Sequence, residues 1–121
     1  VNRPEIRIRT GYPDPDLHPI DKEQAMSSEG LHAPRERLSK KTLAMHHAIV
    51  SLMEELEAAD WYRQRADDCE DDALREILLH NMREEIEHAA MVLEWLRRND
   101  KDFEEQLGAF LFKDGEVMDH H

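Results

Sequence analysis

The sequence predicts an all-α fold, an antiparallel two-helix hairpin with a short C-terminal helix, amounting to half of a four-helix bundle. Three observations predict it. Two stretches of roughly 28 residues contain neither Pro nor Gly and are rich in Leu, Ala, Glu and Arg, which favour helix. A single break, CEDD at residues 69–72, separates them and is too short for anything but an antiparallel turn. Both stretches are apolar over a face too wide for one neighbour, with Leu43, Ile49, Val50 and Leu52 on the first and Leu74, Ile77, Leu78 and Val92 on the second. Two helices do not close a core. The surplus apolar surface therefore predicts self-association, with two hairpins completing the bundle by dimerisation.

Taken in order, residues 1–25 differ from the rest. Four prolines, at 4, 13, 15 and 19, and no helical period mark an irregular N-terminal arm. Residues 26–115 form the helical domain. Ser39 is placed to cap the first helix, which runs to about Asp68. Asp71 or Asp72 caps the second, which runs to about Asn99, about 40 Å at 1.5 Å per residue. Its acidic start and its Arg97-Arg98 end both suit the helix dipole. Asp100 or Asp102 caps a third helix, FEEQLGAFLF, that Gly115 is expected to end. Residues 116–121 are a polar tail with a free His120-His121 pair. Met45, Met53, Met82 and Met91 read as core filler.

The chain has 121 residues, one small domain, with 28 acidic and 16 basic residues and a net charge of −12. That balance excludes nucleic acid, whose phosphates require clustered Lys and Arg. It suits cations as partners, and equally a solvated acidic face. Cys69 is the only cysteine, so there is no intrachain disulfide and no multi-cysteine zinc or rubredoxin-type iron site. No apolar run is long enough to span a membrane, and no apolar signal core opens the chain. A cytoplasmic protein with no membrane partner is the expectation.

The chemistry lies where polar residues interrupt apolar seams. On the second helix, positions 74, 78, 81, 85, 88, 92 and 95 share one stripe and read Leu, Leu, Asn, Glu, His, Val, Trp. On the first, positions 48, 52, 55, 59 and 62 read Ala, Leu, Glu, Ala, Tyr. Glu85 and His88 stand on adjacent turns, and Glu55 faces them from the neighbouring helix. One reading of Glu85-x-x-His88 is a surface i,i+3 pair on a charged helix. The other is the Glu-x-x-His element of a carboxylate-bridged di-metal bundle. A divalent cation would remove the cost of burying the carboxylates. Such a site needs four carboxylates and two histidines. One chain offers Glu55, Glu85 and His88, and two chains about a twofold axis supply the full set. His46, His47, His80 and Asn81 read as polar contacts of the bundle.

SLMEELEAADWYRQRAD, then LLHNMREEIEHAAMVLEWLRRND, then a short helix ending in FLF, closely resembles the encapsulated ferritins, the ferritin-like cargo proteins of encapsulin nanocompartments. The resemblance covers about residues 26–113. It implies a ferritin-like half-bundle whose di-iron ferroxidase centre, two Fe per dimer, forms across a dimer interface. It also implies a ring of such dimers and an encapsulin shell as partner. By position in these motifs the iron ligands and catalytic residues are Glu55, Glu85 and His88. Glu54 and Glu57 correspond to outer carboxylates on the iron approach, and Trp61 and Tyr62 to aromatics flanking the centre. The usual C-terminal shell-targeting peptide has no counterpart in DHH, and the N-terminal arm is not part of the pattern. The function expected is oxidation of Fe(II) to Fe(III) by O2, feeding iron storage in the compartment. The alternatives are a non-catalytic helical assembly module, or another di-metal carboxylate enzyme such as a peroxidase of rubrerythrin type. The single cysteine excludes the rubredoxin part of the latter.

Overall fold

The computed structural model describes residues 30–121. The N-terminal arm at residues 1–25 and the first residues of the helical domain lie outside them. Among the described residues three helices make up the fold: α1 (Lys40–Asp67), α2 (Asp72–Asn99) and α3 (Lys101–Phe110). A 3-10 turn at Arg35–Arg37 precedes them and another at Val117–His120 follows. Among the described residues there is no strand, and no helix is long and apolar enough to cross a membrane. The fold is the all-helical ferritin-like half-bundle.

Each helix begins on a side-chain cap, which supplies an acceptor to an otherwise unpaired N–H. Ser39 Oγ accepts from the Thr42 N–H, Asp71 Oδ1 from that of Leu74, and Asp100 Oδ2 from that of Phe103, all at 3.0 Å. The turn between α1 and α2 is braced by Arg75. Its guanidinium donates to the Cys69 carbonyl and, at 2.8 Å, to Asp72 Oδ1. That brace fixes α2 back along α1, and so fixes which residues of the two helices meet.

The helices meet along a thin line. Ala58, Ala59, Tyr62 and Ala66 of α1 and Met82, Glu85, Ala89 and Leu96 of α2 are buried. Alanine keeps the axes close but removes little apolar area from water. Leu96, 0% exposed, is the one large side chain wholly enclosed among the described residues. The apolar residues left over form two flanks. At 100° per residue, Ile77, Met91 and Trp95 lie along the His88 side of α2. Ile86 lies on the opposite flank, together with Ile49, Met53 and Leu56 of α1; all of these are exposed.

Several expectations change here. Met53 and Met91, read as core filler, are 59% and 57% exposed, because each lies on a flank and not on the contact line. The stripe from Leu74 to Trp95 is also not buried along its whole length. Its two ends are exposed, and the line runs through Met82, Glu85, Ala89 and Leu96. The third helix stops at Phe110, well short of Gly115. Leu111 turns extended, with φ −79° and ψ 142°, and Phe112 takes φ 57°. Gly115, φ 86°, belongs to a separate turn into Val117–His120. His120 is not free: its Nε2 lies 2.7 Å from the Asp114 carbonyl oxygen.

At the end of α2, Arg97 bonds the Glu94 carboxylate through Nε and Nη2 at 2.6 and 2.7 Å, and Arg98 Nε adds a bond of 2.7 Å. The Arg97 bonds, then those of Arg98, hold the Glu94 carboxyl at about 2, down from an ordinary 4.5. A depressed folded pKa stabilises the fold above the ordinary value, and that contribution disappears as pH falls through about 2. Carboxyl NMR of Glu94 should therefore titrate near 2, and Arg97→Ala should move the midpoint back up. An unshifted Glu94 in the parent protein would show that the fork does not persist in solution.

Candidate metal centre

Glu55 sits midway along α1 on the face that continues through Ala59, Tyr62 and Ala66. Glu85 sits midway along α2 on the line of Met82, Ala89 and Leu96. The antiparallel register brings the two glutamates to the same level. His88, three residues after Glu85, is rotated about 60° round the helix and stands at the edge of the contact line. Burial follows this order: Glu85 is 4% exposed, while Glu55 and His88 are half-buried.

His88 Nδ1 lies 3.5 Å from Glu55 Oε2 and 3.7 Å from Glu85 Oε2. One donor atom from each of the three residues lies within 4.8 Å of the others. Among the described residues this is the one group of three or more His, Cys, Asp or Glu side chains so arranged. The separations are longer than hydrogen bonds and short enough for one ion to be shared. Two carboxylates this close, one almost fully buried, disfavour joint ionisation unless positive charge joins them. The donors are two hard oxygens and an imidazole, a set that fits iron, manganese or zinc and not a soft ion. The residues therefore fit a divalent metal. Three donors leave it under-ligated, and the half-exposed His88 edge is where further ligands would enter.

The other residues singled out from the sequence are placed as follows. Tyr62, 3% exposed, packs with Ala58, Ala59 and Met82 two turns from Glu55. Trp61 packs against the same cluster from its rim. Glu54 and Glu57 are half-buried, neither wholly solvated nor in the triad. Glu57 Oε1 is buried and accepts no hydrogen bond. The His80 Nε2 to Glu84 Oε1 pair, 3.3 Å, lies on the exposed surface, so His80 is not a contact of the bundle interior. The His46 and His47 rings lie tilted to each other at 48° with centroids 6.0 Å apart, and neither belongs to the triad.

Arg65 was not foreseen. Its guanidinium carbon lies 5.6 Å from the Trp61 ring centroid and 5.9 Å from that of Tyr62. The cation lies over both rings, about two turns along α1 from Glu55. The spacing holds the signal, since Arg65 follows the two aromatics by four and three residues.

Residues 30–114 match the EncFtn-like protein family. The chain is 55% identical over 93 residues to the "Encapsulated ferritin-like protein" of Rhodospirillum rubrum, a match spanning 77% of this chain and 66% of that protein, just under two thirds of its length. It is 46% identical over 88 residues to the "Ferritin-like protein" of Thermotoga maritima, covering 73% of this chain and 77% of the relative. A crystal structure of a protein from Nitrosomonas europaea superposes with a TM-score of 0.70 at 50% identity, covering 73% of this chain and 97% of the other. With its half-bundle and its glutamate–histidine triad, this chain belongs to the EncFtn-like family of encapsulated ferritins.

Proposed function

We propose that the protein is a ferroxidase that oxidises Fe(II) to Fe(III) with O2 at a di-iron centre formed between two protomers. The observation that carries this reading is the convergence of Glu55, Glu85 and His88 on one edge of the hairpin. A twofold axis at that edge would bring together four carboxylates and two imidazoles. That is the donor set of di-metal bundles, with a Glu from each of two helices and a Glu-x-x-His from each of the others. Bound there, two Fe(II) ions each give one electron to O2. The protein's own part is to hold charge and shape. Glu85 and Glu55 supply negative charge in a partly dry setting, which favours the more highly charged Fe(III). His88 coordinates as a neutral imidazole. Tyr62 and Trp61, held under Arg65, wall the centre. The name of the Rhodospirillum rubrum relative supports the wider reading, in which an encapsulin shell is the partner and the oxidised iron is stored in its lumen.

Iron-dependent O2 uptake by the purified protein tests this. Uptake should be rapid and should stop when the added Fe(II) is spent. Consumption no faster than that of iron in buffer would leave the protein as an assembly module. In the same assay, Glu54→Gln with Glu57→Gln should slow iron uptake several-fold and flatten its salt dependence, because outer carboxylates act on the approach of the cation. Loss as complete as that of a triad variant would place Glu54 or Glu57 among the ligands.

A further inference from the structure

Asn81 stands beside the triad but gives it no donor atom. It lies four residues before Glu85 on α2. At 100° per residue that places it one turn away and about 40° round the helix, on the same side as His88, which is about 60° round. Its side chain is half-buried, and no other described residue hydrogen-bonds its carboxamide. The other groups on this flank offer it little. Ile77 and Trp95 are apolar, and Glu84 already faces His80 at 3.3 Å. Water can serve the carboxamide only while the edge of the hairpin stays open. In a paired centre the second protomer covers that edge, and an amide enclosed without a hydrogen bond is costly. Its NH2 group donates, and carboxylates accept. Long side chains on a helix lean toward its N-terminus, so the Glu85 side chain reaches back toward the turn that holds Asn81. Residues four apart are neighbours on a helix surface, and an amide can bond a carboxylate there.

We propose that Asn81 is a positioning residue of the metal centre: its carboxamide N–H donates to one oxygen of the Glu85 carboxylate and so turns the other toward the metal. This role rests on the di-metal reading of the triad. In the metal-free protomer Glu85 Oε2 lies 3.7 Å from His88 Nδ1, and the carboxamide is left to solvent. Once His88 ligates metal, that pairing ends and the amide takes its place beside the carboxylate. The bond fixes which oxygen of Glu85 is presented and at what angle. Losing such an outer partner lowers metal affinity about 10- to 100-fold, without removing a ligand.

Titration of the full chain with Co²⁺, followed by visible absorption and by calorimetry, tests this role, with Glu85→Ala as the variant that lacks a ligand. Asn81→Leu keeps the bulk and removes the donor. It should bind Co²⁺ about 10- to 100-fold more weakly than the wild type, with its absorption bands shifted. Metal-free Asn81→Leu should melt at the wild-type temperature or above, because the protomer loses no hydrogen bond. Asn81→Gln keeps an amide on the same turn and should retain most of the affinity and the wild-type bands. Wild-type affinity and bands in Asn81→Leu would overturn the proposal. Equal losses in the Leu and Gln variants would do the same, as would a metal-free Asn81→Leu that melts well below the parent protein. A wild type that binds Co²⁺ no better than Glu85→Ala would overturn the di-metal reading, and the role of Asn81 with it.

Discussion

Glu85→Ala and His88→Ala should each reduce Fe(II) oxidation to the rate of iron in buffer while leaving the helical circular dichroism nearly intact. Both residues give donor atoms to the 4.8 Å cluster. Losing a group that merely orients a ligand lowers metal affinity about 10- to 100-fold. Losing a ligand belongs beyond that range, and the twofold arrangement would remove two ligands at once. The fold should tolerate the change, since the caps lie elsewhere and Glu85→Ala places one more alanine on the contact line between α1 and α2. Glu85→Gln separates chemistry from stability. It keeps the volume and removes one of two neighbouring negative charges, so metal-free protein should melt at the same temperature or higher. Its stabilisation by metal should vanish. Near-normal oxidation by any of these variants would refute the triad as the site.

Metal should also raise stability steeply. A ligand that binds only the native assembly contributes about 2.7 kcal/mol when its free concentration is about 100 times Kd. A domain of 60–100 residues shifts its melting point by about 4–8 °C per kcal/mol, so a rise of about 10–20 °C is expected for each such binding event. The thin core makes the effect conspicuous: among the described residues of one protomer, the buried apolar ones are four alanines, Tyr62, Met82 and Leu96. Calorimetry under anaerobic Fe(II), or with Zn²⁺, should show the rise together with a doubling of mass. Glu55→Ala should remove most of both. Unchanged melting and mass at saturating metal would mean that the triad does not bridge protomers.

Much of the fold was legible because its determinants are local. Ser39, Asp71 and Asp100 announce the helix starts by the chemistry of their oxygens. Pairing of the glutamates was legible because polar residues break otherwise apolar stripes at matching depth. The rest was not, for a physical reason. When two neighbouring stripes of α2 are both apolar, the period cannot say which one meets α1. The stripe from Leu74 to Trp95 therefore ends on exposed residues, and Met53 and Met91, expected as core filler, lie on the flanks. The stop of α3 at Phe110 depends on the backbone of Leu111 and Phe112, in residues whose types favour continuing. Burial of Glu57 Oε1 likewise follows from tertiary placement, not from spacing.

The position of all three donors on one edge of a single short hairpin has a consequence for heredity. If the centre is twofold, every codon that specifies a donor specifies two. A single mutation then strips a third of the coordination shell, and none can change one iron position without changing its mate. Lineages seeking two unlike metal positions would first have to duplicate the gene, or fuse two copies into one longer chain, before the halves could diverge.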